Sequence, residues 1–245
     1  MAALVEGGHD VDVERITLKG VDGTVVDAVH ARPGGMPSAG VVLHPDIMGL
    51  RPLFDDLCRR LATHGLAVCA TEPFARIPDE QLRSLDAMGR MEHVKDLDDQ
   101  LQLGDLERGA DFLVVEDGVS EVSVLGFCMG GMYALKAAAT GRFDRAVVFY
   151  GMLRVPDGWR GPGQHDALDT AADSCPTLAF FGGRDSWTPA SDIEALRAAW
   201  AGRPGHEIIV YAEAEHGFVH DADRPAHRAD DAADAWRRTL AFLLA

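Results

Sequence analysis

Short apolar runs recur along this chain, each bounded by glycine, proline or charged residues. Gly40–His44, Ala67–Thr71, Val122–Phe127, Arg145–Tyr150, Thr177–Phe181 and Glu207–Tyr211 are rich in Val, Leu, Ile and Phe and show little polar alternation. Such runs read as strands buried on both faces. Between and after them lie segments of helical period: Leu53–Gly65, with Gly65 as its stop, Lys95–Glu116, Met132–Ala139, Ala190–Ala201 and Asp230–Ala245. Val13–Leu18 and Thr24–Ala31 precede this alternation as two strands, joined through the hairpin signal Asp22-Gly23. Residues 31–38, 73–94 and 151–174 read as loops. Strands alternating with helices predict an α/β fold, a mostly parallel central sheet flanked by helices on both faces. No repeat or linker divides the chain, so residues 1–245 are expected to form a single domain.

Composition narrows what such a fold can serve. The chain has 245 residues, 47% of them hydrophobic, enough to bury a large core. No apolar stretch approaches the roughly 18–20 residues that span a bilayer. Met1–Asp10 lacks the basic and apolar regions of a secretory leader, which makes the cytoplasm the expected location. A formal charge of −16 argues against nucleic acid, because phosphate binding needs concentrated Lys and Arg. The acidic runs Asp96–Asp99 and Asp230–Asp234 read as solvated helix faces. Cys58, Cys69, Cys128 and Cys175 form no C-x-x-C pair and no metal-ligand spacing, so no metal is expected and all four read as free thiols. Cys58 and Cys69 lie among apolar residues and read as packing.

Cys128 differs from them. It stands in Gly126-Phe127-Cys128-Met129-Gly130-Gly131, between a strand-like run and a run of small helical residues. Glycine-x-nucleophile-x-glycine in that context makes a nucleophile elbow, with cysteine where serine is commoner. The turn is sharp, and a Cβ at Gly126 or Gly130 would crowd it. Two other strand ends carry what a thiol nucleophile needs. Thr177–Phe181 runs into Gly183-Arg184-Asp185, and Glu207–Tyr211 into Glu215-His216-Gly217. Cys128, Asp185 and His216 follow the nucleophile–acid–histidine order of α/β-hydrolases. His216 can move the thiol proton and Asp185 can fix its tautomer. Taken singly, Cys128 could be a buried hydrophobe and Asp185 a helix-start residue; together at three strand ends they read as a triad. An oxyanion hole would draw on the N–H of Met129 and one from the loop after Gly40–His44, where Ile47 is the candidate.

With these pieces the chain resembles the dienelactone hydrolase family of the α/β-hydrolase superfamily, from about Val13 to the C-terminus. The resemblance rests on His44–Gly49, Glu72-Pro73-Phe74-Ala75-Arg76, the cysteine elbow, Gly183-Arg184-Asp185 and Glu215-His216-Gly217-Phe218. It implies a role for Asp46, which stands where the family has a glutamate that partners the thiol; otherwise Asp46 is a loop residue bonding local N–H groups. It also implies an anionic substrate held by arginines. Arg76 stands at one such position, where it could equally be a solvated loop cation, and His220 at the other, where the family has arginine.

The expected function is hydrolysis of a lactone or small ester through a thioester on Cys128, without metal or organic cofactor. The expected partner is a small molecule, neither nucleic acid nor membrane; monomer and homodimer both remain open. A carboxylesterase for small neutral esters is the alternative within enzymes. A non-catalytic thiol redox or ligand-binding protein is the alternative outside them, and the presence of both Asp185 and His216 disfavours it.

Overall fold

The computed structural model describes residues 3–245. Met1 and Ala2, the start of the segment read as lacking a leader, lie outside the described residues. The strands are β1 (Val11–Lys19), β2 (Val25–Pro33), β3 (Ala39–His44), β4 (Leu66–Thr71), β5 (Val122–Phe127), β6 (Ala146–Phe149), β7 (Thr177–Gly182) and β8 (Glu207–Tyr211). They form one sheet in the order β1-β2-β4-β3-β5-β6-β7-β8. β1 and β2 are antiparallel, β2 joins β4 antiparallel, and every pairing from β4 through β8 is parallel. Every residue of β3 through β7 is buried, as continuous apolar runs covered on both faces require. Edge strand β1 carries charge along its exposed positions, which discourages further strand pairing.

The helices are α1 (Pro52–Ala62), α2 (Asp79–Ser84), α3 (Ala87–His93), α4 (Asp99–Glu116), α5 (Met129–Ala138), α6 (Ala190–Ala199) and α7 (Ala229–Leu243). In α1, proline opens the first turn and Phe54, Leu57, Cys58 and Leu61 make one buried stripe. The short helices α2 and α3 occupy the stretch expected to be irregular. Neither is long enough to show a period, and α3 depends on a local cap, the Asp86 carboxylate accepting the Gly89 N–H. The predicted helix over 95–116 begins at Asp99 instead, because the Asp98 side chain caps it by accepting N–H bonds from Gln100 and Leu101.

One expected surface feature is interior. Asp99 is buried, gripping Lys136 Nζ at 2.8 and 2.9 Å and accepting the His165 N–H at 2.9 Å. The acidic run 96–99 is therefore not a uniformly solvated face. Its last residue ties α4 to α5 and to the loop after β6. Cys58 and Cys69 are fully buried packing residues as expected, and burial pushes both thiols above their ordinary range.

Order reverses in the sheet at β3, with β4 on one side and β5 on the other. In parallel α/β sheets such a reversal opens a crevice at the carboxyl ends of the strands. The turn from β5 into α5 closes tightly over it. α5 starts at Met129, earlier than the small-residue run suggested, because its two glycines let it approach other backbone. A Cβ on Gly130 would lie 2.2 Å from the His44 carbonyl oxygen and 2.3 Å from that of Pro45. Gly130→Ala is accordingly expected to lower stability by at least about 1–3 kcal/mol, the usual cost of overpacking. Denaturant unfolding measures this, and an unchanged midpoint would show that the crossing can widen freely.

Candidate active site

Cys128 sits at the apex of the β5–α5 turn with φ 56° and ψ −119°, a conformation rare for any residue with a Cβ. The turn is pinned from both sides: Cys128 N–H donates to the Phe149 carbonyl at 3.0 Å and Met132 N–H to the Cys128 carbonyl at 3.1 Å. The side chain is mostly enclosed but still lines a cleft.

Asp185 follows β7 and His216 follows β8, and their side chains meet. His216 Nδ1 lies 2.8 Å from Asp185 Oδ2, while Asp185 Oδ1 accepts the Trp187 N–H at 2.8 Å. Asp185 is buried, so this pair is shielded from water. His216 Nε2 is buried with no conventional hydrogen-bond partner among the described residues, and Cys128 lies beside it. Burial alone would depress the imidazole pKa. The Cys128 sulfur and the Asp185 carboxylate outweigh burial and push it up to about 10.

Met129 opens α5, so its N–H has no intrahelical acceptor. Among the described residues neither Met129 N–H nor Ile47 N–H donates to a protein group. Ile47 lines the same cleft as Cys128. Two spare donors therefore flank the elbow, one from each of the loops that Gly130 holds together.

Asp46 is committed elsewhere than to the thiol. The Arg51 guanidinium forks onto it at 2.6 and 2.8 Å, Met48 N–H donates to it at 2.9 Å, and His220 Nε2 lies 2.9 Å away. Burial would raise its pKa, but the His220 hydrogen bond and the Arg51 charge hold the carboxyl well below its ordinary range. These contacts fit the reading as a loop-ordering residue better than the reading as thiol partner.

Both expected anion-binding side chains lie away from the cleft. Arg76 forks onto Asp105 at 2.6 and 3.2 Å and onto Asp22 at 3.0 Å through each of two nitrogens, tying the β1–β2 hairpin to α4. It lines a separate cavity with Phe74 and Gln102. His220 is fully buried between Phe127 and Phe54, and burial lowers its pKa. The reasons are local: acidic partners are within reach of Arg76, and His220 stacks between aromatic rings while bonding to Asp46 and Tyr150.

Other residues line the cleft, which encloses about 380 Å³. Ile47, Met48, Ala87 and Met91 give it apolar walls, Trp159 and Trp187 an aromatic one, and Arg51 and Arg224 its cations. Among the described residues no carboxylate lies within ion-pair distance of Arg224, whereas Arg51 is held by Asp46. The Arg224 guanidinium packs on Gly217, where an added Cβ would come within 2.7 Å of it. Among the described residues no group of three or more His, Cys, Asp or Glu is arranged to hold a metal ion, and no helix is long and apolar enough to cross a membrane.

Known proteins match this geometry over nearly its full length. The family model for dienelactone hydrolases matches residues 26–245. The chain belongs to the dienelactone hydrolase family. It is 31% identical over 219 residues to the carboxymethylenebutenolidase of Rhodococcus opacus, covering 89% of this chain and 85% of that one. It is 32% identical over 245 residues to a carboxymethylenebutenolidase homologue of Escherichia coli K12, covering 98% and 89%. The crystal structure of a dienelactone hydrolase homologue from Klebsiella pneumoniae superposes with a TM-score of 0.84 at 30% identity, over 96% of this chain and 98% of that one. The α/β-hydrolase fold is thereby established, and with it a hydrolase of this family.

Sequence reasoning missed the arginines that face the cleft, Arg51 and Arg224. Arg224 lies beyond the histidine loop and Arg51 at the entry to α1, neither in a recognisable motif. Trp159 and Trp187 sit in long loops without period. With Arg76 bound as described, Arg76→Ala is expected to lower Tm by a few degrees while leaving KM for anionic and neutral esters unchanged within twofold. Thermal unfolding and steady-state kinetics on the same variant separate the two effects; a large rise in KM for anions alone would return Arg76 to the substrate.

Proposed function

We propose that this chain hydrolyses a lactone or small carboxylic ester through a thioester on Cys128. The observation that carries the reading is a partly buried histidine held by Asp185 at 2.8 Å, its buried Nε2 beside a thiol on a strained elbow. Cys128 Sγ attacks the carbonyl carbon, and the oxygen that becomes negative draws on the Met129 and Ile47 N–H groups. His216 holds the proton taken from sulfur on Nε2 and delivers it to the departing oxygen as the C–O bond breaks. Asp185 keeps Nδ1–H oriented and stabilises the imidazolium. Water then gives a proton to His216 as its oxygen attacks the thioester, and the carbon–sulfur bond breaks to release the acid. In a lactone the leaving oxygen stays tethered, so one ring-opened product departs. Apart from the substrate and one water, the scheme uses only side chains and backbone N–H groups, and the setting proposed for it is cytoplasmic.

The cleft favours an elongated acyl group with a negative end. Its walls are apolar and aromatic, and Arg224 supplies charge near the histidine. A neutral-ester reading is favoured by those same walls and by the absence of Arg76 and His220 from the cleft. Arg224 decides between them. Arg224→Ala is expected to raise KM for an anionic lactone roughly 10- to 100-fold, as loss of a charge-assisted hydrogen bond would, and to leave neutral-ester KM within about twofold. Equal effects on both substrates would favour the esterase.

Cys128→Ala is expected to fold normally and to lose turnover by several powers of ten. Mass spectrometry after brief exposure to 4-nitrophenyl acetate is expected to find one acetyl group, on Cys128 in the native chain and absent from the variant. Acetylation elsewhere with turnover retained would refute the thioester scheme and leave a thiol ligand-binding role.

A further inference from the structure

A second polar chain runs through the interior directly beneath the proposed triad, and the mechanism above uses none of it. It begins at Arg51, passes through Asp46 and His220, and ends at Tyr150. Asp46, His220 and Tyr150 are each at most 2% exposed. Its last link is short: Tyr150 Oη lies 2.5 Å from His220 Nδ1.

The proton positions follow from the donor inventory. Asp46 is ionised and accepts from Arg51 and Met48, so the His220 nitrogen facing it, Nε2, must carry a proton and donate. Burial keeps the ring neutral, so Nδ1 holds a lone pair and Tyr150 O–H donates to it. Every hydrogen bond therefore has one sense, from tyrosine through histidine to aspartate, with Arg51 neutralising the far end. The charged and titratable groups facing His220 are Asp46, Arg51, Tyr150 and Arg224.

Each end of this chain touches a working part. Asp46 precedes Ile47 in the loop that offers the spare N–H. His220 closes the loop begun by His216. Tyr150 places its ring edge-on to His216, 5.2 Å between centroids, and it follows Phe149, whose carbonyl pins the Cys128 N–H. Tyr150 also holds φ at 40°, a strained value for a bulky residue, retained although glycine at that position would relieve it. A tyrosine kept at such a cost directs its ring under the elbow.

We infer that Tyr150 and His220 are positioning residues: the one-way chain Tyr150–His220–Asp46 locks the histidine loop to the oxyanion loop, so that His216 and the Ile47 N–H stay in register around Cys128. This rests on the proposed thioester reading. The chain acts through geometry and hydrogen-bond direction, not through a titrating charge.

Tyr150→Phe, His220→Gln and His220→Leu test this with 4-nitrophenyl acetate as substrate, reading kcat, KM, the pH profile and Tm. Tyr150→Phe removes one oxygen, and His220→Leu removes both links at similar bulk. Both are expected to lower kcat by at least about tenfold with KM within twofold, since small misplacements of catalytic groups are costly. His220→Gln keeps one donor and one acceptor and cannot titrate, so it is expected to recover most of the rate with an unchanged pH profile from 6 to 9. Wild-type kcat in Tyr150→Phe, with only Tm lowered, would overturn the inference and leave a structural role. So would His220→Gln as slow as His220→Leu, or a displaced acid limb, which would mean that histidine acts through its charge. Should His220→Leu fail to fold, Tyr150→Phe decides alone. Failure of the thioester reading registers separately, as turnover retained by Cys128→Ala.

Discussion

The backbone crossing at the start of α5 sets the geometry on which the candidate site depends. Gly126 lies against the Gly130 carbonyl, Gly130 against the carbonyls of His44 and Pro45, and Gly131 against Phe149 and Gly151. Side chains at these points would push three strand ends apart. With the crossing closed, the ends of β3, β5 and β6 come within backbone distance, and Cys128 is forced to positive φ. The strain at Cys128 is thus a consequence of packing that the sheet and helix jointly impose. Among the described residues it also leaves the Met129 and Ile47 N–H groups without a protein acceptor on either side of one thiol.

The fold was legible because its signals are local. Buried parallel strands are continuous apolar runs, and the hairpin and helix stops carry turn residues whose φ preferences are known. The elbow, Asp185 and His216 were legible for a related reason: a strand end followed by glycine and a polar residue is visible in one dimension. What escaped depends on partners distant in sequence. Asp99 looks like any helix-face acid until Lys136 and His165 reach it. Arg76 stands in the expected motif, but Asp22 and Asp105 hold it, and no spacing rule couples those positions. Helices α2 and α3 are too short for a period to emerge. Trp159, Trp187 and Arg224 lie in irregular segments, where side-chain direction is set by tertiary contacts.

Net charge was a poor guide to the cleft for the same reason. A chain of formal charge −16 would be expected to repel an anion. Much of the acid is spent in ion pairs: Asp46 on Arg51, Asp99 on Lys136, Asp105 on Arg76, Asp234 on Arg237 and Arg238. The field inside a cavity is governed by whichever charges line it unpaired. Here Asp46, Asp221, Arg51 and Arg224 all line the cleft, and Arg224 is the cation that no carboxylate among the described residues holds within ion-pair distance.

The same logic bears on how two histidines in one loop behave so differently. His216 is partly buried and His220 fully so, and burial alone would lower the pKa of each. His216 faces a carboxylate with no cation in the pair, and a sulfur on its other side, so its imidazolium is favoured. At His220 burial outweighs the pull of the Asp46 carboxylate, which Arg51 and Arg224 oppose, and Tyr150 offers only a neutral hydrogen bond. Arg51 therefore has an effect beyond ordering its own loop. Its charge opposes that of Asp46 at the His220 ring, adding to the burial that keeps this imidazole pKa low.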